Sequence, residues 1–209
     1  MKIYGFLILI CGLTFCNCND ESKKSTKTDN SEDKEEIQNL IRQVLNWADS
    51  KNCIDLLPAI TDSTDSIYMG FDLEKHKQNL EKLKLTDFFA TEFINNYNQI
   101  ILTLDNGLRS GKYEQWLVGD LPTFIFANDY SPWWNGQERF SIEKSAIELI
   151  RLDNEKGEFN FICGDKVLGC EGMENYKMRF KAIKVNNKWK ISYMEGFEFK
   201  ESTRKDGEL

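Results

Sequence analysis

Hydrophobic and polar residues alternate most regularly near the end of the chain. In 176–185 the apolar positions are Tyr176, Met178, Phe180 and Ala182. In 189–199 they begin with Trp189, Ile191 and Tyr193, and Lys177, Arg179, Lys181, Lys190 and Ser192 stand between. Successive side chains of a strand point to opposite faces, so this alternation predicts a half-buried antiparallel hairpin turning through Asn186, Asn187 and Lys188. Upstream the spacing is helical. Ile37, Leu40, Ile41, Val44, Leu45 and Ala48 share one face, and Asp33 with Glu36 make a capping-box-like start. A weaker helix is expected over 73–84, with Asp72 as N-cap and Leu73, Leu80 and Leu83 to bury. A stronger one follows from a Thr86 cap, with Phe89, Phe93, Tyr97, Ile100, Ile101 and Leu104 on one face and Gly107 as its stop.

Between helices and hairpin the period shortens. Short apolar runs at 116–118 and 123–126, separated by Gly119, Asp120 and Pro122, read as strands. In 140–152 the apolar residues switch parity, from Phe140 and Ile142 to Ile147 and Leu149, which predicts a bulge or a sharp bend near 144–146. Phe159, Phe161 and Cys163 alternate in a partner strand. The segment 52–71 reads as an irregular or partly helical connection, and the tail beyond Phe199 as polar and frayed. Helices followed by long antiparallel strands define an α+β protein with its helices gathered on one face of a sheet.

Composition changes the picture at the amino terminus. Of 209 residues, 41% are hydrophobic, enough for one sizeable core. The apolar run 3–15 follows Met1 and Lys2 and is shorter than the about 20 residues a bilayer span needs, so it reads as a signal peptide. Leu13-Thr14-Phe15-Cys16 resembles a bacterial lipoprotein signal, in which the chain is cut before a cysteine that receives a lipid. Phe15 stands where a small residue is usual, so Cys18 is the alternative acceptor. The resemblance implies export and a lipid anchor in the bacterial cell envelope. Residues 19–36 contain no hydrophobic side chain and could not repay the entropy of ordering. The expected organisation is therefore a signal over 1–16, a polar tether over 17–33, one α+β domain over 34–200 and a polar tail over 201–209. In an exported chain, Cys163 and Cys170, which flank six residues of a loop, are expected to form a disulfide.

The order of elements, ending in Val185-Asn186-Asn187-Lys188-Trp189-Lys190-Ile191, is similar to the nuclear transport factor 2-like superfamily, with a cystatin-like sheet as the nearest competitor. That resemblance implies a curved sheet wrapped on a long helix, with the inner face of the closing strands receiving the helix of Phe89 to Leu104. Its pocket would be lined by Ile191 and Tyr193, leaving Lys177, Arg179 and Lys181 outside.

The residues available for chemistry are few. A net charge of -7 without a concentrated basic face argues against nucleic acid as a partner. The one histidine, His76, lies between Lys75 and Lys77 and is expected at the surface, so no nucleophile triad is assembled around it. The cysteines lack metal-ligand spacing, and Gly164, Gly169 and Gly172 lack the Lys-Ser or Lys-Thr of a phosphate loop. Neither a metal nor a cofactor is expected. Tyr130, Trp133 and Trp134 beside Asp129 and Glu138 suit a binding surface, or alternatively plug the open end of the core. Asp105, Asp120, Asp129 and Glu148 are the carboxylates that could act as a general base in a pocket. The leading expectation is a lipid-anchored envelope protein that binds a protein or small molecule. The alternatives are a small hydrolase, isomerase or dehydratase using a pocket carboxylate, and an immunity-type protein that masks a toxin. Metabolic labelling with an acyl-chain analogue tests the anchor: the wild-type chain should incorporate label and the Cys16→Ser, Cys18→Ser double variant should incorporate none.

Overall fold

The computed structural model describes residues 30–137, 141–143, 145–163 and 176–208. In chain order the elements are α1 (Asn30–Ala48), β1 (Ala59–Thr61), β2 (Tyr68–Phe71), α2 (Leu73–Leu85), α3 (Thr91–Arg109), β3 (Ala146–Leu152), β4 (Lys156–Ile162), β5 (Lys177–Val185), β6 (Lys188–Met194) and α4 (Phe199–Ser202). The last four strands make one open antiparallel sheet in the order β3-β4-β5-β6, while β1 and β2 pair separately. The α+β class expected from the residue pattern is the one found.

The predicted hairpin forms, with a tighter turn and a register that alternation alone does not reveal. Val185 pairs with Lys188, so only Asn186 and Asn187 are left in the turn, at φ 51° and 61°. Two consecutive positive φ values match the twist of the flanking strands, and asparagine tolerates them because its short amide bonds locally. Farther along, Lys181 faces Tyr193 while Ala182 faces Ile191, which leaves Ser192 as an extra residue. This bulge flips the parity of β6. Trp189, Ile191 and Met194 point into the core, and Tyr193 joins Lys181 on the outer face. The expectation that Ile191 and Tyr193 share a face is thereby corrected: Ile191 is wholly buried and Tyr193 turns away from it.

The inner face of the sheet carries Ile147, Phe159, Phe161, Met178, Phe180 and Ala182 along with the β6 residues, all buried. It is α1 that lies across this face, touching both β3 and β6 through Ile37, Ile41, Val44 and Leu45. The sequence pattern assigns that place to the helix of 89–104, and here the structure differs. α3 packs instead beside β6 and on β2, with Phe93, Tyr97, Ile100, Ile101 and Leu104 inward as expected.

Several boundaries move for physical reasons. α1 begins before Asp33, whose carboxylate is not a cap: it accepts from Lys184 Nζ at 2.7 Å and Trp189 Nε1 at 2.8 Å. α3 starts at Thr91, because residues 88–90 run alongside β6, with Ile191 donating to Phe88 and Ala90 donating to Ile191, both at 2.8 Å. Gly107 lies within α3 and does not end it. A Cβ there would come within 2.1 Å of the Tyr113 ring, so glycine lets that ring lie on the helix. The runs 116–118 and 123–126 are not strands and contribute only single bridges, Ile67 to Leu117 and Phe124 to Lys205. Phe124 and Phe126 fill the core, and Ile125 and Phe126 donate to Arg204 and Ser202 carbonyls at 3.0 and 3.2 Å. Those bonds tie down the tail, which was expected to fray; the Tyr113 hydroxyl donates to Thr203 as well, at 2.8 Å. β1 and β2 form where only an irregular or partly helical connection was expected. The bulge of β3 lies between Leu149 and Arg151, later than 144–146; Phe140 and Lys144 are outside the described residues.

The Asp33 contacts are the longest-range polar link in the fold, joining α1 to both strands of the closing hairpin. The Asp33 side chain is only 10% exposed. Burial alone would raise its pKa, but hydrogen bonds from Lys184 and Trp189 and the Lys184 charge outweigh this and hold the carboxyl below its ordinary value. The resulting stabilisation is complete above about pH 4 and is lost as pH falls through the lower folded value. Asp33→Ala should cost about 2–3 kcal/mol at neutral pH in urea unfolding, because an ammonium and an indole N–H lose their acceptor. The gap between variant and wild type should close in acid.

Candidate functional site

The bulge at Ser192 builds one wall of a cleft of about 590 Å³. Its floor is aromatic, with Phe93 from the start of α3 and Phe197 from the segment after β6. Tyr193, Met194 and Phe199 form the sides, and Asn96, Glu198, Lys200 and Glu201 supply the polar atoms. The chain reaches this geometry through a sharp turn at Gly196, φ 95°, where a Cβ would lie 2.6 Å from the Pro132 carbonyl oxygen. Only glycine allows that approach without strain. Asn96 Nδ2 donates to the Phe197 carbonyl at 2.6 Å, fastening the turn to α3.

Glu198 is the polar centre of the cleft. Tyr193 Oη donates to its Oε1, and the Gly196 N–H donates to its Oε2 at 2.9 Å. Both partners are neutral. The other carboxylate, Glu201, is ion-paired with Arg204. Tyr193 also has the Lys181 ammonium 5.0 Å from its ring centroid. Burial raises the Tyr193 phenol well above the ordinary tyrosine value, and the hydrogen bond and charge of Glu198 add to it. Tyr130 is pushed up to about 12, first by burial and then by the charges of Glu198 and Glu201, which places its hydroxyl within their field.

The structure brings Tyr130 and Tyr193 to this neighbourhood and separates them from the two tryptophans. Trp133 and Trp134 are 4% and 5% exposed. Trp133 packs against Trp47, Phe93 and Phe197, with ring centroids 5.5, 6.3 and 4.8 Å away, and so lies directly behind the cleft floor. Of the two roles open to these indoles, the geometry is that of a plug. The Trp134 carbonyl accepts the Tyr176 hydroxyl. The Trp133 Nε1 has no hydrogen-bond partner among the described residues.

The four candidate bases are dispersed. Asp105 is buried but takes Phe71 N–H at 2.7 Å and Arg109 Nε at 2.9 Å, tying β2 to α3; Asp120, Asp129 and Glu148 are exposed. His76 corrects the expectation of a surface residue. It is 3% exposed, its Nε2 bonds Asn98 Oδ1 at 2.9 Å, and burial lowers its pKa against the opposing pull of that bond. Its position was legible: His76, Leu80 and Leu83 form one helical stripe, with Asn79 beside them. Glu198 was not, because no local pattern announces a contact that depends on the bulge and on the turn at Gly196.

The Cys53 thiol is free and pushed up to about 11 by burial, with its hydrogen bond to Ile54 and the Lys82 charge pulling the other way. Cys163 is disulfide-bonded, and Cys170, Cys16 and Cys18 lie outside the described residues. Among the described residues no three His, Cys, Asp or Glu gather as a metal-ligand group, and no helix is long and apolar enough to cross a membrane. Comparison with known proteins finds no family model and no curated protein that matches the chain.

The coupled phenol and carboxylate give a direct reading of the cleft. In a spectrophotometric titration, Glu198→Gln should make the Tyr193 and Tyr130 phenols ionise at lower pH than in wild type, and the larger shift, that of the directly bonded Tyr193, should be missing from the Tyr193→Phe, Glu198→Gln double variant. The downward direction follows because a neutral amide no longer disfavours the phenolate. The shift should be partial, since burial is the larger cause and remains.

Proposed function

We propose that this protein is an exported binding protein of the bacterial cell envelope, anchored by a lipid on Cys16 or Cys18, whose domain receives a small ligand in the cleft beside Tyr193. The observation that carries the reading is the cleft itself: about 590 Å³ with an aromatic floor and a few convergent polar groups, the composition of small-ligand sites generally. The lead segment supports the anchor through its short apolar run before paired cysteines, followed by a stretch with no apolar side chain. Helices that precede an antiparallel sheet closed by the β5-β6 hairpin agree with a nuclear transport factor 2-like domain. A pocket-carboxylate enzyme has less support, because Asp105 is committed to Arg109 and Phe71 and the other three candidates face solvent.

Trp133 behind the floor makes ligand entry observable. A panel of small aromatic compounds, titrated against the full-length protein and followed by tryptophan fluorescence, should yield saturable binders. Phe199→Ala, which removes a side wall of the cleft, should weaken those binders about tenfold or more, the effect of one lost aromatic contact. Binders whose affinity is indifferent to Phe199→Ala would place the receptor elsewhere.

A further inference from the structure

From the distribution of charge in the cleft, and resting on its reading as the ligand site, we infer that the ligand is a small organic cation, an ammonium group carried on a flat apolar body. Glu198 is the basis of the inference. Its two oxygens are held by neutral donors, the Tyr193 hydroxyl and the Gly196 N–H, and no ion pair to it is formed among the described residues. A half-buried carboxylate held in this way is fixed in position without an ion pair. Glu201 at the rim differs, since Arg204 neutralises it. Around Glu198 the rings that reach the cleft surface are Tyr193 and Phe199, while Phe93 and Phe197, 1% and 2% exposed, close the floor beneath them. Aromatic faces attract cations through their quadrupole, so carboxylate and rings select the same sign of ligand.

Several cations stand nearby and none forms an ion pair with Glu198 among the described residues: Arg204 is paired with Glu201, and Arg179, which faces Tyr193, is paired with Glu158. Lys181 lies on the Tyr193 ring and Lys200 is exposed at the cleft edge. Burial is the first cause that raises the phenols of Tyr193 and Tyr130, and the Glu198 charge adds to it in both. An anionic ligand in the same place would be repelled by Glu198. A cationic one can approach Glu198 from the cleft while Tyr193 stays in place.

The test uses three probes of one shape and three charges: phenethylammonium, phenethyl alcohol and hydrocinnamate, each titrated into the full-length protein by tryptophan fluorescence. Phenethylammonium should bind about tenfold tighter than hydrocinnamate, the scale of a single favourable charge contact in a partly desolvated site. Glu198→Gln should remove the preference, while phenethyl alcohol, which carries no charge, still binds and shows that the cleft is intact. Glu198→Asp, which keeps the charge, should retain part of the preference. Hydrocinnamate binding as tightly as phenethylammonium would overturn the cation inference and leave the cleft standing, as would a preference that survives Glu198→Gln. Failure of all three probes to bind would overturn both.

Discussion

A four-stranded sheet with one apolar face has to bury that face, and in this protein nearly everything else follows from how it does so. α1 lies across the strands and supplies Ile37, Ile41, Val44 and Leu45 to the row formed by Phe159, Phe161, Met178 and Phe180. Hydrophobic burial of this kind is strong and non-directional. Direction comes from Asp33, which bonds Lys184 and Trp189 across 151 and 156 positions of sequence. A buried carboxylate is tolerated only where its donors are in place, so the pair sets the position of the helix along the hairpin. The same contact closes the chain on itself, first helix to last strands.

The second constraint is at the edge of the sheet. β6 would present unpaired backbone groups there, but residues 88–90 bond to Ile191 on both sides. The bulge at Ser192 follows at once, and it has two effects. Met194 turns inward to complete the core, and Tyr193 turns outward, where it meets Lys181 and Glu198. The Gly196 turn then returns the chain over the start of α3, and a cleft remains between strand edge, helix and turn. Bulges re-aim side chains in this way wherever a strand has one residue too many for its partner.

Local pattern carried much of the architecture. The hairpin, the apolar faces of α1 and α3, the Asp72 cap of α2 and the partner strand at Phe159 and Phe161 were all visible as periodicity or capping chemistry, because each depends on neighbours a few residues apart. The failures have one cause in common. At 116–118 and 123–126 the side chains are as apolar as those of a strand, yet both runs are irregular chain, the first with backbone bonds to Ser66 and Tyr68 and the second to Ser202, Arg204 and Asp206. His76 was assigned by its charged neighbours, while its place on the stripe with Leu80 and Leu83 decided its burial. Asp33 looked like a cap because it stands before an apolar run, and its true partners lie at the far end of the chain.

The sequence by itself determined the class of the fold, the hairpin that closes it, the inward faces of the long helices and the scarcity of residues fit for nucleophile, metal or phosphate chemistry. These depend on composition and on short-range spacing, which the order of residues states directly. Only the tertiary structure decided that α1 covers the sheet, that Trp133 and Trp134 face inward, and that Tyr193 and Glu198 share a cleft. Those outcomes rest on a one-residue bulge and on contacts between segments far apart in the chain, and a shift of one residue in a strand exchanges the faces of every side chain beyond it.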